Sequence, residues 1–256
     1  MELTALAVTP AGQPAGIGHE QLVDSLLARL PATEPADLVI LGYASPDREG
    51  HKTIASYLNM RTGGGAHSFA LCGAGPGTAF VALGVVASYQ ATGRSRRALL
   101  VVVENAAQDG LDPASSAASA SGVALLLSQP ATEAVEPVAE PIEPIEPVEP
   151  SSGSIRPSAL GTVRPLPDSD RLPEFTTGSE HGLLVLDSSV PDLPVPDCYR
   201  VPAGHHCTGA WLALAHNAQR WSRRYPAVTM LAHDPAAGRY HAGRLEFRPT
   251  AEGSWR

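Results

Sequence analysis

Residues 67–93 read HSFALCGAGPGTAFVALGVVASYQATG and are followed, after Arg94 and Ser95, by RRALLVVVEN at 96–105. The apolar run Ser68 to Cys72 predicts a strand, and Gly73, Gly75 and Gly77 allow a sharp backbone bend after it. Pro76 suits the first turn of a helix, where its missing N–H would have no partner anyway. The small apolar residues up to Thr92 continue that helix and Gly93 ends it. Arg97 to Glu104 then predicts a strand buried on both faces. A tight turn between strand and helix places free N–H groups at a positive dipole end, where a thiolate or an oxyanion is stabilised.

The same alternation extends outward. Asp37–Tyr43 (DLVILGY) and Ser121–Ser128 (SGVALLLS) predict two more buried strands, and His19–Leu30 and His51–Leu58 carry helical patterns. Strands separated by helices imply a layered α/β sheet. The back of the chain is interrupted by proline until the strand Gly182–Asp187. After it come a helix over Thr208–Trp221 and a hairpin, Ala227–His233 with Arg239–Phe247, turning at Gly238.

Between front and back lies QPATEAVEPVAEPIEPIEPVEPSSGS, residues 129–154. Repeated proline and like-charged glutamates favour an extended, solvated segment, read here as a spacer or as a recognition peptide for another protein. It divides the 256 residues into a front part, 1–128, and a back part, 155–256. Six of its glutamates account for most of the net charge of -8, so no general surface acidity needs explaining. Lys52 is the only lysine and the arginines form no run, which argues against nucleic acid. Three cysteines without C-x-x-C spacing fit neither a disulfide scaffold nor a structural zinc site, and suit a reducing cytosol. No signal-peptide pattern and no run of roughly 20 apolar residues is present, so a cytoplasmic protein with no membrane contact is expected.

At residues 67–104 the sequence resembles the thiolase superfamily, and within it the ketosynthases and ketoacyl synthase III enzymes. In these a nucleophilic Cys ends a strand and opens a buried helix, with a Gly 17 residues later ahead of an apolar strand. Gly93 sets that register here, through Leu83 and Tyr89, and puts Pro76 at the nucleophile position. LGYASPDREG, around Asp47 and Arg48, and ASGVALLLS are further local echoes. The resemblance implies a truncated thiolase-like layered α-β-α fold with an eroded C-terminal half, since family enzymes are longer.

Proline has no nucleophilic atom, so acyl-enzyme chemistry is excluded at residue 76 in this register. Cys72 stands four residues upstream and is either a buried, inert residue or a reactive thiolate. GHHCTGA at 204–210 is similar to the family's Gly-His-x-x-Gly-Ala helix start, with His206 the nearer match. His206 is thus a vestigial active-site residue or a structural one. No counterpart of the family's second His is recognisable beyond a weak candidate in His181. His205, His206 and His216 are poorly spaced for a metal, and no metal or cofactor is expected.

Taken as a member of that family, the chain is similar to the short chain-length factors of highly reducing type II polyketide synthases. The resemblance implies a non-catalytic heterodimer partner of a full-length ketosynthase, shaping the acyl tunnel for a polyketide or polyene chain carried on the phosphopantetheine of an acyl carrier protein. Tunnel or interface candidates are Phe69, Cys72, Pro76, Phe80 and Leu83, with Phe69 and Phe80 equally readable as ordinary core residues. Two alternatives stand beside this reading: a small thiolase-like acyltransferase or hydrolase using Cys72 and His206, and a carrier-protein docking or scaffold module. Deleting residues 133–150 is expected to leave assembly with a ketosynthase intact in copurification; loss of the complex would assign binding to the Glu/Pro segment instead.

Overall fold

The computed structural model describes residues 1–13, 16–31, 35–44, 46–47, 53–105, 119–130, 160–170, 182–192 and 198–248. The first part of the chain builds β1 (Glu2–Val8), α1 (His19–Leu27), β2 (Leu38–Tyr43), α2 (Ile54–Arg61) and β3 (His67–Leu71). A 3-10 turn (Gly75–Gly77), α3 (Thr78–Ala91), β4 (Arg97–Glu104) and β5 (Ser121–Ser128) follow. The second part builds β6 (Thr162–Ser169), β7 (Gly182–Leu186), β8 (Cys198–Arg200), α4 (Gly209–Ser222), β9 (Ala227–Asp234) and β10 (Arg239–Glu246). The Glu/Pro repeat, Arg48 and His181 lie outside the described residues.

The ten strands run in the order β3-β2-β4-β5-β1-β6-β10-β9-β7-β8. Counted within its own half, each set of five has the order 3-2-4-5-1, and the two sets meet at their first strands. The senses match as well. β2 is parallel to β3 and β4 and β5 is antiparallel to β4 and β1, while β7 is parallel to β8 and β9 and β10 is antiparallel to β9 and β6. The second half therefore keeps its whole strand framework. Its erosion lies in the helices: among the described residues it has α4 alone, where the first half has α1, α2 and α3.

Alternation along the strands assigns the layers. Val39, Leu41, Leu99, Val101 and Val103 face α1 and α2 through Leu22, Leu26, Ile54 and Leu58. Leu38, Ile40, Leu100 and Val102 face the other way, into one large core with Phe80, Leu83 and Val86 of α3, Trp211 and Leu214 of α4, and Val185, Val228 and Met230 of the second half. Helices α3 and α4 are thus sandwiched between the two halves of the sheet, which accounts for α3 having no charged residue. No described helix is long and apolar enough to cross a membrane.

The proline-rich stretch before Gly182 contains a strand that hydropathy patterning misses. In β6, Pro165 and Pro167 are two apart and so direct their missing N–H positions to the same side. That strand pairs along β10, but meets β1 only where Glu2 faces Thr162, so one side of it needs few donors. The predicted helix over 76–92 is split, its first turn being the tighter 3-10 turn at Gly75–Gly77. Helix α2 begins at Ile54 rather than His51.

Phe80 is 3% exposed, and its ring centroid lies 5.5 Å from that of Trp211, across the α3/α4 contact. Replacing Phe80 with Ala is expected to cost about 3–5 kcal/mol in urea unfolding, the range for emptying an aromatic core position. A change below about 1 kcal/mol would mean the α3/α4 seam is not packed as described.

Candidate functional site

Glu104 ends β4 after the apolar run Ala98–Val103, and its carboxylate accepts six hydrogen bonds. One oxygen, Oε1, accepts from Ser121 Oγ at 2.8 Å, Thr208 Oγ1 at 2.6 Å and His205 Nδ1 at 2.9 Å. The other, Oε2, accepts the backbone N–H groups of His206, Cys207 and Thr208 at 2.9, 2.7 and 3.3 Å. Burial by itself would push this carboxyl up. The bonds from His205, Cys207 and Thr208 outweigh burial and hold it at about 2. Three successive N–H groups on one oxygen form an anion-binding concavity, filled here by the protein's own side chain.

This carboxylate pins the loop 204–208 beside the turn Gly75–Gly77. Gly75 has φ +47°, and a Cβ placed there would lie 3.6 Å from His206 Nε2 and 3.7 Å from Asp234 Cγ. A side chain at residue 75 would therefore point at the histidine. Gly77 is constrained from the opposite side, because a Cβ on it would overlap the His241 ring at 2.2–2.5 Å. His241 is buried on β10, bonds Asp168 Oδ1 through Nδ1 at 3.0 Å, and has no partner at Nε2 among the described residues. Imidazoles from two places in the second half, the loop 204–208 and β10, thus flank the Gly75–Gly77 turn.

Pro76 forms one wall of a cleft of about 270 Å³, completed by Asp187, Ser188, Ser189, Gly204, His205, His206 and Pro235. Burial pushes the Asp187 carboxyl up, with the Glu104 charge adding to it, against hydrogen bonds from Ser189. Among the described residues no group of three or more His, Cys, Asp or Glu side chains is arranged to hold a metal ion.

The remaining candidates are dispersed. Cys72 is exposed just beyond β3, and its side-chain partner is Tyr43 rather than His206. Phe69 lies on the edge strand β3, its ring beside those of His67 on the same strand and Tyr89 of α3, and lines a second cavity of about 340 Å³ that His19, Tyr43 and Ser68 share. Phe80 and Leu83 lie in the central core. The five proposed tunnel residues are not brought to one cavity. Cys207 is buried, and burial and the adjacent Glu104 raise its thiol well above the usual range, which disqualifies it as a nucleophile. Sequence reasoning missed Glu104, Asp187 and His241; the one available signal was an acid closing the apolar run of β4.

Because Glu104 has its acidity enhanced by folding, its contribution to stability is present above the ordinary glutamate value of 4.5 and is lost as pH falls toward about 2. Glu104→Gln is expected to cost about 3 kcal/mol at neutral pH and to flatten the stability profile between those two values, read by urea unfolding at several pH values. An unchanged pH profile would show that the carboxylate is not held as described.

No protein-family model matches the chain, and no curated protein sequence is significantly similar to it. Solved structures do match. The 3-oxoacyl-(acyl carrier protein) synthase III FabH from Pseudomonas aeruginosa PAO1 superposes with a TM-score of 0.62 at 14% identity, over 97% of this chain and 98% of that one. OleA from Xanthomonas campestris, in its H285N form, gives 0.61 at 10% identity over 96% and 98%. AbyA1, a tetronic acid condensing enzyme, gives 0.59 at 16% identity over 96% and 100%. The strand order repeated in both halves, with one central helix from each, is the thiolase-like layered α-β-α fold of these condensing enzymes.

Proposed function

We propose that this chain is a non-condensing, chain-length-factor-like partner of a full-length ketosynthase in a highly reducing type II polyketide synthase. The observation that carries the reading is the turn Gly75-Pro76-Gly77. It occupies the strand-to-helix bend of a condensing-enzyme fold, faces His206 and the cleft, and contains no nucleophilic atom. A chain so built cannot form an acyl-enzyme there, and a partner must supply the cysteine.

The free edge of the sheet supports a partner. Among the described residues strand β3, at one end of the sheet, pairs only with β2, and it carries Phe69 and Leu71 half-buried. An unpaired edge with partly buried apolar residues is stabilised by adding a strand from another chain. Phe69 also lines the 340 Å³ cavity beside that edge, the place where a growing acyl chain from a partner's active site would meet this subunit. The acyl carrier protein, with its phosphopantetheine-bound chain, would then be served by the pair and not by this chain alone.

A second reading rests on the exposure of Cys72, which suits an acyltransferase or hydrolase using Cys72 and His206. Its weakness is distance in contacts, since Cys72 meets Tyr43 while His206 faces Gly75. Coexpression with a ketosynthase from the same biosynthetic system separates the two. The expected result is a copurifying heterodimer whose products lengthen or shorten on Phe69→Ala, with no acyl mass added to this chain by an acyl thioester. A stable monomer that becomes acylated at Cys72 would overturn the partner reading in favour of the enzyme.

A further inference from the structure

We infer that the cleft beside Pro76 moves a proton within its ligand: His205 accepts the hydrogen on the carbon between the two carbonyls of an uncharged 1,3-dicarbonyl chain, and Asp187 delivers one to the keto oxygen. The choice of a β-keto thioester as that ligand rests on the function proposed above, while the proton transfer rests on the cleft itself.

The argument begins at Glu104. Its oxygens receive six donors and it is ionised, so it accepts only, and the ring nitrogen of His205 that meets it must carry a hydrogen. In the neutral ring the lone pair is then on Nε2, on the side away from Glu104. The His205 side chain is 27% exposed and lines the cleft. A histidine whose orientation and tautomer are set by a buried carboxylate is the arrangement a general base requires. His206, the better match by sequence, bonds Glu104 only through its backbone.

Asp187 lines the same cleft. It and His205 are also neighbours behind the cleft: a Cβ placed on the buried Gly209 would be crowded by Asp187 Oδ2 at 3.0 Å, Val201 Cγ1 at 3.1 Å and His205 Cβ at 3.3 Å. Burial favours the protonated form of Asp187, which suits it to the acid role, whereas Glu104 is held ionised and orients the base, His205. The ligand class follows from charge. No Lys or Arg is among the lining residues, and Glu104 and Asp234 stand close by, so an anionic chain is repelled and an uncharged one is not.

The step balances without a co-reactant. The C–H bond breaks, its electron pair forms the new C=C bond, and the carbonyl π pair moves to the keto oxygen, which takes the Asp187 proton. His205 is left as imidazolium and Asp187 as carboxylate, and the reverse step or exchange with solvent restores both. The net change is a keto–enol isomerisation, and it needs no covalent intermediate at residue 76.

The test uses S-(2-methylacetoacetyl)-N-acetylcysteamine in D₂O, following loss of the C2–H signal by NMR, with the chain alone and with the copurified ketosynthase pair. Exchange is expected to exceed that of equimolar imidazole by about 100-fold, and to fall by about tenfold or more in His205→Gln and in Asp187→Asn. Glu104 acts as a positioning residue. Long-range ¹H–¹⁵N spectra are expected to show the Nδ1–H tautomer of His205 in the wild type, a mixture in Glu104→Gln, and recovery in Glu104→Asp. Exchange no faster than imidazole in both preparations, or unchanged in His205→Gln, would overturn the inference. Exchange without copurification would sink the partner reading and leave this one standing, and copurification without exchange would do the reverse.

Discussion

The carboxylate of Glu104 belongs to the first half of the chain, yet all but one of its donors come from the second: His205, His206, Cys207 and Thr208, against Ser121 from β5. A buried charge is tolerated only when its lone pairs are met, and here six donors converge on two oxygens. The consequence is mechanical. The end of β4 and the loop entering α4 are locked together, and the cleft between the halves, with His205, His206 and Pro76 on its walls, exists because of that lock.

Around it the apolar packing is arranged by a repeated plan. Each half contributes five strands in one order and one central helix, and the two helices meet through Phe80 and Trp211. A helix covered by both halves of the sheet must be apolar around its circumference, which α3 satisfies with small residues; α4 is covered through Trp211, Leu212 and Leu214 at its start, while His216, Gln219 and Arg220 further along are exposed. The second half has kept the elements that face the shared core and the cleft. On its outer face, where the first half packs α1 and α2, the described residues of the second half show a small cluster of Leu184, Leu186, Val190, Leu231 and Ala242.

Much of the first half was readable in advance, because β2, β4 and β5 are continuous apolar runs and α3 is punctuated by Pro76 and Gly93. Where the reading failed, a local signal was overridden by pairing. β6 contains two prolines and reads as a breaker, but an almost unpaired side makes their missing donors harmless. β1 is rich in alanine and small for a strand, and its place between β5 and β6 comes from partners far away in sequence. At the site, Pro76 and the GHHCTGA segment were visible, whereas Glu104, Asp187 and His241 were not. Each of these three is defined by what it touches across the fold, and residue spacing along the chain carries no record of that.

The amino-acid sequence by itself determined that the chain is layered α/β, that its acidity resides in a Glu/Pro segment, and that the bend before α3 holds a proline between two glycines. These are properties of composition and of short-range pattern, where the periods of helix and strand and the chemistry of single residues decide. Tertiary structure alone decided that His205 rather than His206 is the oriented histidine, and that Phe80 belongs to the seam while Phe69 belongs to an edge cavity. Those distinctions depend on which side chain a neighbour more than 100 positions away holds in place, as Glu104 holds His205.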